Sequence, residues 1–226
     1  MTGGDLYKHQ LMEYAQDLAR AYGELRRSQA EFLATLVALL EMKAPAIRGH
    51  ARRVAFWSLR LNDILDRPLD PGALRAAALV HDVGKLGLPD RLIQAWVARR
   101  EDDRRLIRLH PEMGASLLEH VSAFSDWIPW VRHHHERWDG TGYPAGLTAN
   151  EIPLGARIIC LANAFDYRMN DYGSDPAHTV SGTIAWIERL SGGIFDPDLV
   201  RAFVRMPVEA LWVNRLWIEG EAEGEA

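Results

Sequence analysis

Leu11, Ala15, Leu18, Tyr22, Leu25, Gln29, Phe32, Leu36 and Leu39 recur at alternating four- and three-residue steps, with charged residues between them. This spacing is the heptad seam of a long helix. It predicts either a two-stranded coiled coil or a helix lying on its own domain, and the length of the seam favours a homodimer. Gly23 is a weak point within it. Val54, Phe56, Leu59 and Leu61 mark a further helix over 46–65. The run from Gly72 to Val80, Ala- and Leu-rich on nearly every side, reads as a buried helix opened by Asp70-Pro71. Gly84 is expected to stop it in a left-handed conformation, leaving Lys85 just beyond. A charged amphipathic helix over 91–109 follows, then one from His110-Pro111 through His120, then a Trp-rich one over 125–135. The stretch from Gly155 to Tyr167 is apolar on most sides and places Asn163 and Asp166 on one face. A helix over 177–190 ends at Gly192-Gly193, and Asp196-Pro197 caps another through Met206. Residues 211–218 suit either a helix or a packed extended segment, and the Gly/Glu tail over 219–226 is expected to be disordered. No period-2 alternation competes with these helices. The fold class is all-α, with an N-terminal signalling or dimerisation helix over 1–42, a main domain over 43–208 and a C-terminal extension over 209–226.

Composition narrows the class. With 226 residues, 48% apolar and 25% charged, the chain suits one large domain with an appendage and neither a disordered nor a fibrous protein. A net charge of −5 argues against a DNA or RNA surface held by counterion release, but leaves room for a small phosphorylated substrate drawn by a few cations or a metal. The apolar run from Phe32 to Leu40 is too short to span a bilayer, and the N-terminus lacks a signal-peptide pattern. A cytoplasmic protein with no membrane partner is the expectation. Cys160 is the single cysteine, so it forms no internal disulfide, and its apolar helical setting suits packing better than nucleophilic chemistry.

The densest chemistry lies from His133 to Pro144, HHHERWDGTGYP. A histidine triplet is open to two readings, an exposed polar patch or metal ligands beside a substrate-shaping loop. His81-Asp82 at the end of a buried helix is costly unless hydrogen bonds or a cation compensate it. Together His50, His81, Asp82, His110, His134 and His135 are spread over separate helices or helix ends. Imidazole and carboxylate donors without thiolate favour Fe, Mn or Zn in a hydrolytic centre, and a set of this size suits two metals, which can share a hydroxide and hold both oxygens of an in-line phosphoryl displacement. Lys85 would neutralise a non-bridging phosphate oxygen.

The order of His50 with Arg53-Val54, HDVGK from His81, His110-Pro111 with Gly114, HHERWDGTGYP from His134 and ARII from Ala156 resembles the HD-GYP subclass of the HD phosphohydrolase superfamily over roughly residues 40–205. The resemblance implies a helical HD-domain bundle, a divalent metal centre with two Fe or Mn per chain, and hydrolysis of cyclic di-GMP to pGpG or GMP through a metal-bridging hydroxide. It makes His50, His81, Asp82, His110, His134, His135 and Asn163 the metal set, with Asp82 and Lys85 as catalytic residues. Lys85, Asp139, Gly140, Gly142, Tyr143 and Pro144 become substrate contacts. His133 receives no role, and Asp166 a supporting one. Three positions depart from the family. Ala46 stands where three-metal members carry glutamate; Asn163 replaces the closing aspartate and brings no charge; and the stretch from Asp171 to Asp175 lacks the expected phosphate-gripping arginine. A working phosphodiesterase for a cyclic dinucleotide is the leading expectation. The alternatives are a degenerate signalling or protein-interaction module and a hydrolase of linear nucleotides.

Overall fold

The computed structural model describes residues 3–94, 101–170 and 179–213. The described elements are helices and short 3-10 turns, in the order α1 (Gly3–Lys43), α2 (His50–Asn62), α3 (Pro71–Val80), α4 (Asp90–Gln94), α5 (Glu101–Ile107), α6 (His110–Leu118), α7 (Ile128–Arg132), α8 (Leu154–Asn170), α9 (Val180–Arg189), α10 (Pro197–Arg205) and α11 (Val208–Val213). No strand occurs among the described residues, which bears out the all-α expectation; one isolated bridge joins Ser191 to Phe195.

α3 lies at the centre. Asp70 accepts a hydrogen bond from the Ala73 amide at 2.7 Å and Pro71 opens the first turn, so the helix starts where the sequence places it. Leu74, Ala77 and Ala78 are completely buried, and the small side chains let α2 pack closely on one flank. α2 also packs on α8. Trp57 of α2 meets Phe165 of α8 edge-on at 4.8 Å, and Phe165 meets Phe203 of α10 at 5.1 Å, giving an aromatic centre to the core.

α1 divides into two parts. Leu33, Leu36, Val37 and Leu40 are buried in the domain, whereas Leu11, Leu18, Tyr22, Leu25 and Phe32 remain exposed. The seam therefore splits at Leu36, which faces the chain's own core. Gly23 does not interrupt the helix.

Several boundaries differ from the sequence reading. α2 begins at His50, because Pro45 sets a 3-10 turn and Gly49 adopts φ +77° just before it. Gly84 is not left-handed. It sits in a 3-10 turn over Val83–Gly87, where a Cβ would lie 1.9 Å from the His110 carbonyl oxygen, so the glycine is required by the close approach of α6. The helix expected over 125–135 is cut to α7. It ends at His133, whose backbone leaves the helical region at φ −108° and ψ 13°, and beyond it His134 Nδ1 lies 2.6 Å from the Val131 carbonyl. Of the helix expected over 91–109, residues 95–100 lie outside the described residues, as do the start of the helix expected over 177–190, the stretch from Asp171 to Asp175, most of 211–218 and the whole 219–226 tail. Within 211–218, residues 211–213 close the short helix α11.

Candidate metal centre

Asp82 follows α3 at the start of the Val83–Gly87 turn, and two groups of donors converge on it. Asp82, His110, His134 and His135 form one group, and His50, His81 and Asp82 the other, with the donor atoms of each within 4.8 Å of one another. Asp82 is common to both. Its Oδ1 lies 3.1 Å from His110 Nε2, and its Oδ2 lies 3.4 Å from His81 Nε2 and 3.8 Å from His50 Nε2. Lys85 Nζ donates to the same Oδ2 at 2.6 Å.

The imidazoles are oriented by one repeated device. His81 Nδ1 lies 2.7 Å from the Ala78 carbonyl, His110 Nδ1 2.6 Å from Ile107, and His134 Nδ1 2.6 Å from Val131, each on the carbonyl three residues back. His50 Nδ1 lies 2.7 Å from Asp166 Oδ2, in a carboxylate that Arg53 also grips, Nε to Oδ1, at 2.7 Å. A carbonyl or carboxylate accepts only a proton, so Nδ1 carries the hydrogen in all four rings and the Nε2 lone pair faces Asp82.

These donors fit a divalent cation. His81 Nε2 and Asp82 Oδ1 are buried without a hydrogen bond, and His110 Nε2 faces His134 Nε2 at 3.4 Å, two nitrogens that both present lone pairs. Nitrogens in that relation repel unless something positive lies between or beside them. Burial, reinforced by neighbouring imidazoles, pushes His134 and His135 well below the ordinary histidine range and brings His81 down to about 4. All three are therefore neutral, the form that binds a metal. Burial alone would push the Asp82 carboxyl up, but its surroundings, the Lys85 ammonium foremost, outweigh it and hold it well below the carboxylate range.

Of the sequence-expected residues, Asn163 lines a cavity of about 520 Å³ together with His135 and Tyr143. Asp166, one turn further along α8, supports His50 and Arg53. Tyr143 stacks on His135 with ring centroids 4.8 Å apart and planes inclined by 15°, and the Arg108 guanidinium carbon lies 5.4 Å from the centre of the tyrosine ring. Asp139 is exposed and turns its carboxylate on Thr141, accepting from both its amide and its hydroxyl. Its amide donates to the Gly193 carbonyl, so it shapes the loop rather than lining the cavity. Gly142 has no room for a side chain, since a Cβ would lie 2.3 Å from the Arg137 amide. The Tyr143–Pro144 peptide is cis.

Sequence reasoning gave no role to Glu136, which is buried and accepts from the Ala145 amide at 2.7 Å and the Leu147 amide at 3.2 Å. This carboxylate ties the glycine loop back to the histidines. Its position directly after the His pair was the available signal. Cys160 lines the same cavity, and burial pushes its thiol up to about 12, consistent with a packing role.

Residues 34–199 match a family model described as the HD domain. A cyclic di-GMP phosphodiesterase of Thermotoga maritima is 29% identical over 188 residues, covering 82% of this chain and 51% of that protein. One of Pseudomonas aeruginosa is 31% identical over 223 residues, covering 91% of this chain and 52% of that protein. A solved cyclic GMP-AMP specific phosphodiesterase of Vibrio cholerae shares the fold, with a TM-score of 0.62 at 22% identity over 80% of this chain and 49% of that one. The chain thus spans about half the length of these relatives.

Proposed function

The chain belongs to the HD domain family, in its HD-GYP subclass, and from that premise we propose that it is a metal-dependent phosphodiesterase acting on a cyclic dinucleotide, with cyclic di-GMP hydrolysed to pGpG or GMP. The observation that carries this reading is the position of Asp82, shared between two sets of imidazole donors, four of which have their Nδ1 protons already taken up elsewhere.

His50 and His81 would hold one ion and His110, His134 and His135 the other, with Asp82 bridging and Asn163 as a neutral donor at the cavity side. Fe or Mn suits this nitrogen and oxygen set. Two such ions supply an acidified water near neutral pH and neutralise charge on the phosphoryl oxygens. The chain's own residues do the rest. Asp166 and Arg53 hold the His50 ring in place, and Lys85, paired with Asp82 Oδ2, is the cation that would meet a phosphate oxygen there. Glu136 fixes the loop that carries Tyr143. Tyr143, flat on His135, forms the boundary between the metal side and the cavity, which has room for a nucleotide base.

The exposed half of α1 is proposed to pair with a second copy through Leu11, Leu18, Tyr22 and Leu25, leaving 43–208 as the catalytic unit. No helix among the described residues is long and apolar enough to cross a membrane. The test is incubation of the Mn-loaded chain with cyclic di-GMP and separation of products. Appearance of pGpG or GMP supports the reading. An unchanged cyclic dinucleotide favours the non-catalytic signalling role, for which the neutral Asn163 and the arginine missing from the sequence between Asp171 and Asp175 speak.

A further inference from the structure

The cavity beside the metal centre carries a cation that the metal chemistry does not use. Arg168, on α8, lines it together with His135, and its guanidinium carbon lies 4.8 Å from the centre of the Trp186 ring on α9. Arg168 Nε is buried with no hydrogen-bond partner, and among the described residues Arg168 makes no ion pair. Arg137, the other arginine on the cavity wall, is engaged at the loop side, where it reaches Thr141 Oγ1 at 3.5 Å.

Stacking on an indole fixes the plane of a guanidinium and leaves its in-plane N–H donors available along one edge. An arginine that lines a cavity and has no hydrogen-bond partner at Nε calls for acceptors supplied by the occupant to its guanidinium. Besides the polar side chains of Asn163 and Tyr167, the wall offers the apolar surfaces of Ala164, Ile194 and Phe195. A phosphate would meet those surfaces unsatisfied, whereas a planar base would bury its faces against them. The occupant therefore needs flat apolar faces and adjacent acceptors on one edge. Guanine offers O6 and N7, both acceptors. Adenine sets its N6 donor beside N7, so a guanidinium fork would meet one N–H with another.

We propose that Arg168, held over the Trp186 ring, reads the O6/N7 edge of a guanine in the cavity and makes this site prefer guanine to adenine. This rests on the cyclic-dinucleotide reading of the same site and names the base it selects. The sequence carries the feature without announcing it, since Arg168 and Trp186 are separated by a stretch that gives no motif linking them.

The test is equilibrium binding of hydrolysis-resistant phosphorothioate analogues of cyclic di-GMP and cyclic di-AMP, with GMP and AMP alongside, to the full chain and to Arg168→Leu and Arg168→Lys. Thermal melts confirm that both variants fold. The wild type is expected to favour the guanine form by about five- to a hundredfold, the range of one bidentate arginine–guanine contact. Both variants are expected to bring the ratio close to one, because lysine keeps the charge but lacks the fork. Equal wild-type affinity for the two bases, or an equal loss for both in Arg168→Leu with rescue by lysine, overturns the proposal in favour of a phosphate contact and leaves the phosphodiesterase reading standing. Preference for GMP over AMP with neither dinucleotide bound supports the guanine slot and overturns the cyclic-dinucleotide substrate.

Discussion

His50 Nδ1 lies 2.7 Å from Asp166 Oδ2, joining the first residue of α2 to a carboxylate 116 positions later in the chain. The contact fixes the imidazole with its Nε2 toward Asp82, and it makes Asp166 part of the metal centre without touching the metal position. Asp166→Asn is expected to lower metal affinity about 10- to 100-fold, the usual effect of losing the acceptor behind a ligating histidine. Titration of the metal-free variant with Mn checks this. Unchanged affinity would assign Asp166 to Arg53 and the core alone.

Asn163 is the second test position on α8. Its amide offers an oxygen but no charge, so Asn163→Asp is expected to raise both metal retention and turnover if this side chain is a donor. Elemental analysis of the purified variant beside the wild type decides it. Equal metal content would show that the site closes without residue 163.

The contrast between Gly84 and Gly23 tests packing against conformational freedom. A Cβ at Gly84 would lie 1.9 Å from the His110 carbonyl, a backbone atom that cannot swing away, whereas one at Gly23 meets nothing within 4 Å. Gly84→Ala is expected to cost about 1–3 kcal/mol or more and to displace α6 with His110. Gly23→Ala should stabilise by up to about 1 kcal/mol. Urea melts of both variants read the difference, and an equal effect at the two sites would contradict the structure.

What the sequence made legible follows the range of the interactions. The start of α3 was readable because Asp70, Pro71 and Ala73 are neighbours and the capping bond is local. The metal donors were readable because HDVGK and HHERWDGTGYP concentrate rare residue types. The partners that orient those donors were legible only in part, since the resemblance gave Asp166 a supporting role without pairing it with His50. Asp166 finds His50 only through packing of α2 on α8, and Glu136 finds Ala145 and Leu147 only once the loop closes. The end of α7 was misread because helix propensity says nothing of the tertiary grouping that brings His134 and His135 to Asp82 just beyond it. Arg168 and Trp186 belong to the same class, joined by tertiary contact alone.

The exposed stripe on α1 yields its own expectation. Leu18 and Leu25 are 65% and 55% exposed, too open to be explained by the domain's own core. Leu18→Glu with Leu25→Glu in the full chain is expected to convert a dimer into a monomer in sedimentation velocity while leaving the melting temperature of the domain in place. A wild-type chain that sediments as a monomer would reduce the heptads to a solvated helix.

The central claim is that Asp82 joins two metal positions in a phosphodiesterase site, and metal stoichiometry measured together with turnover addresses it most directly. Anaerobically purified protein is expected to hold about two Fe or Mn per chain and to cleave cyclic di-GMP, with Asp82→Ala losing both properties together. Less than one metal per chain, with no cleavage after Mn is added, would contradict the account.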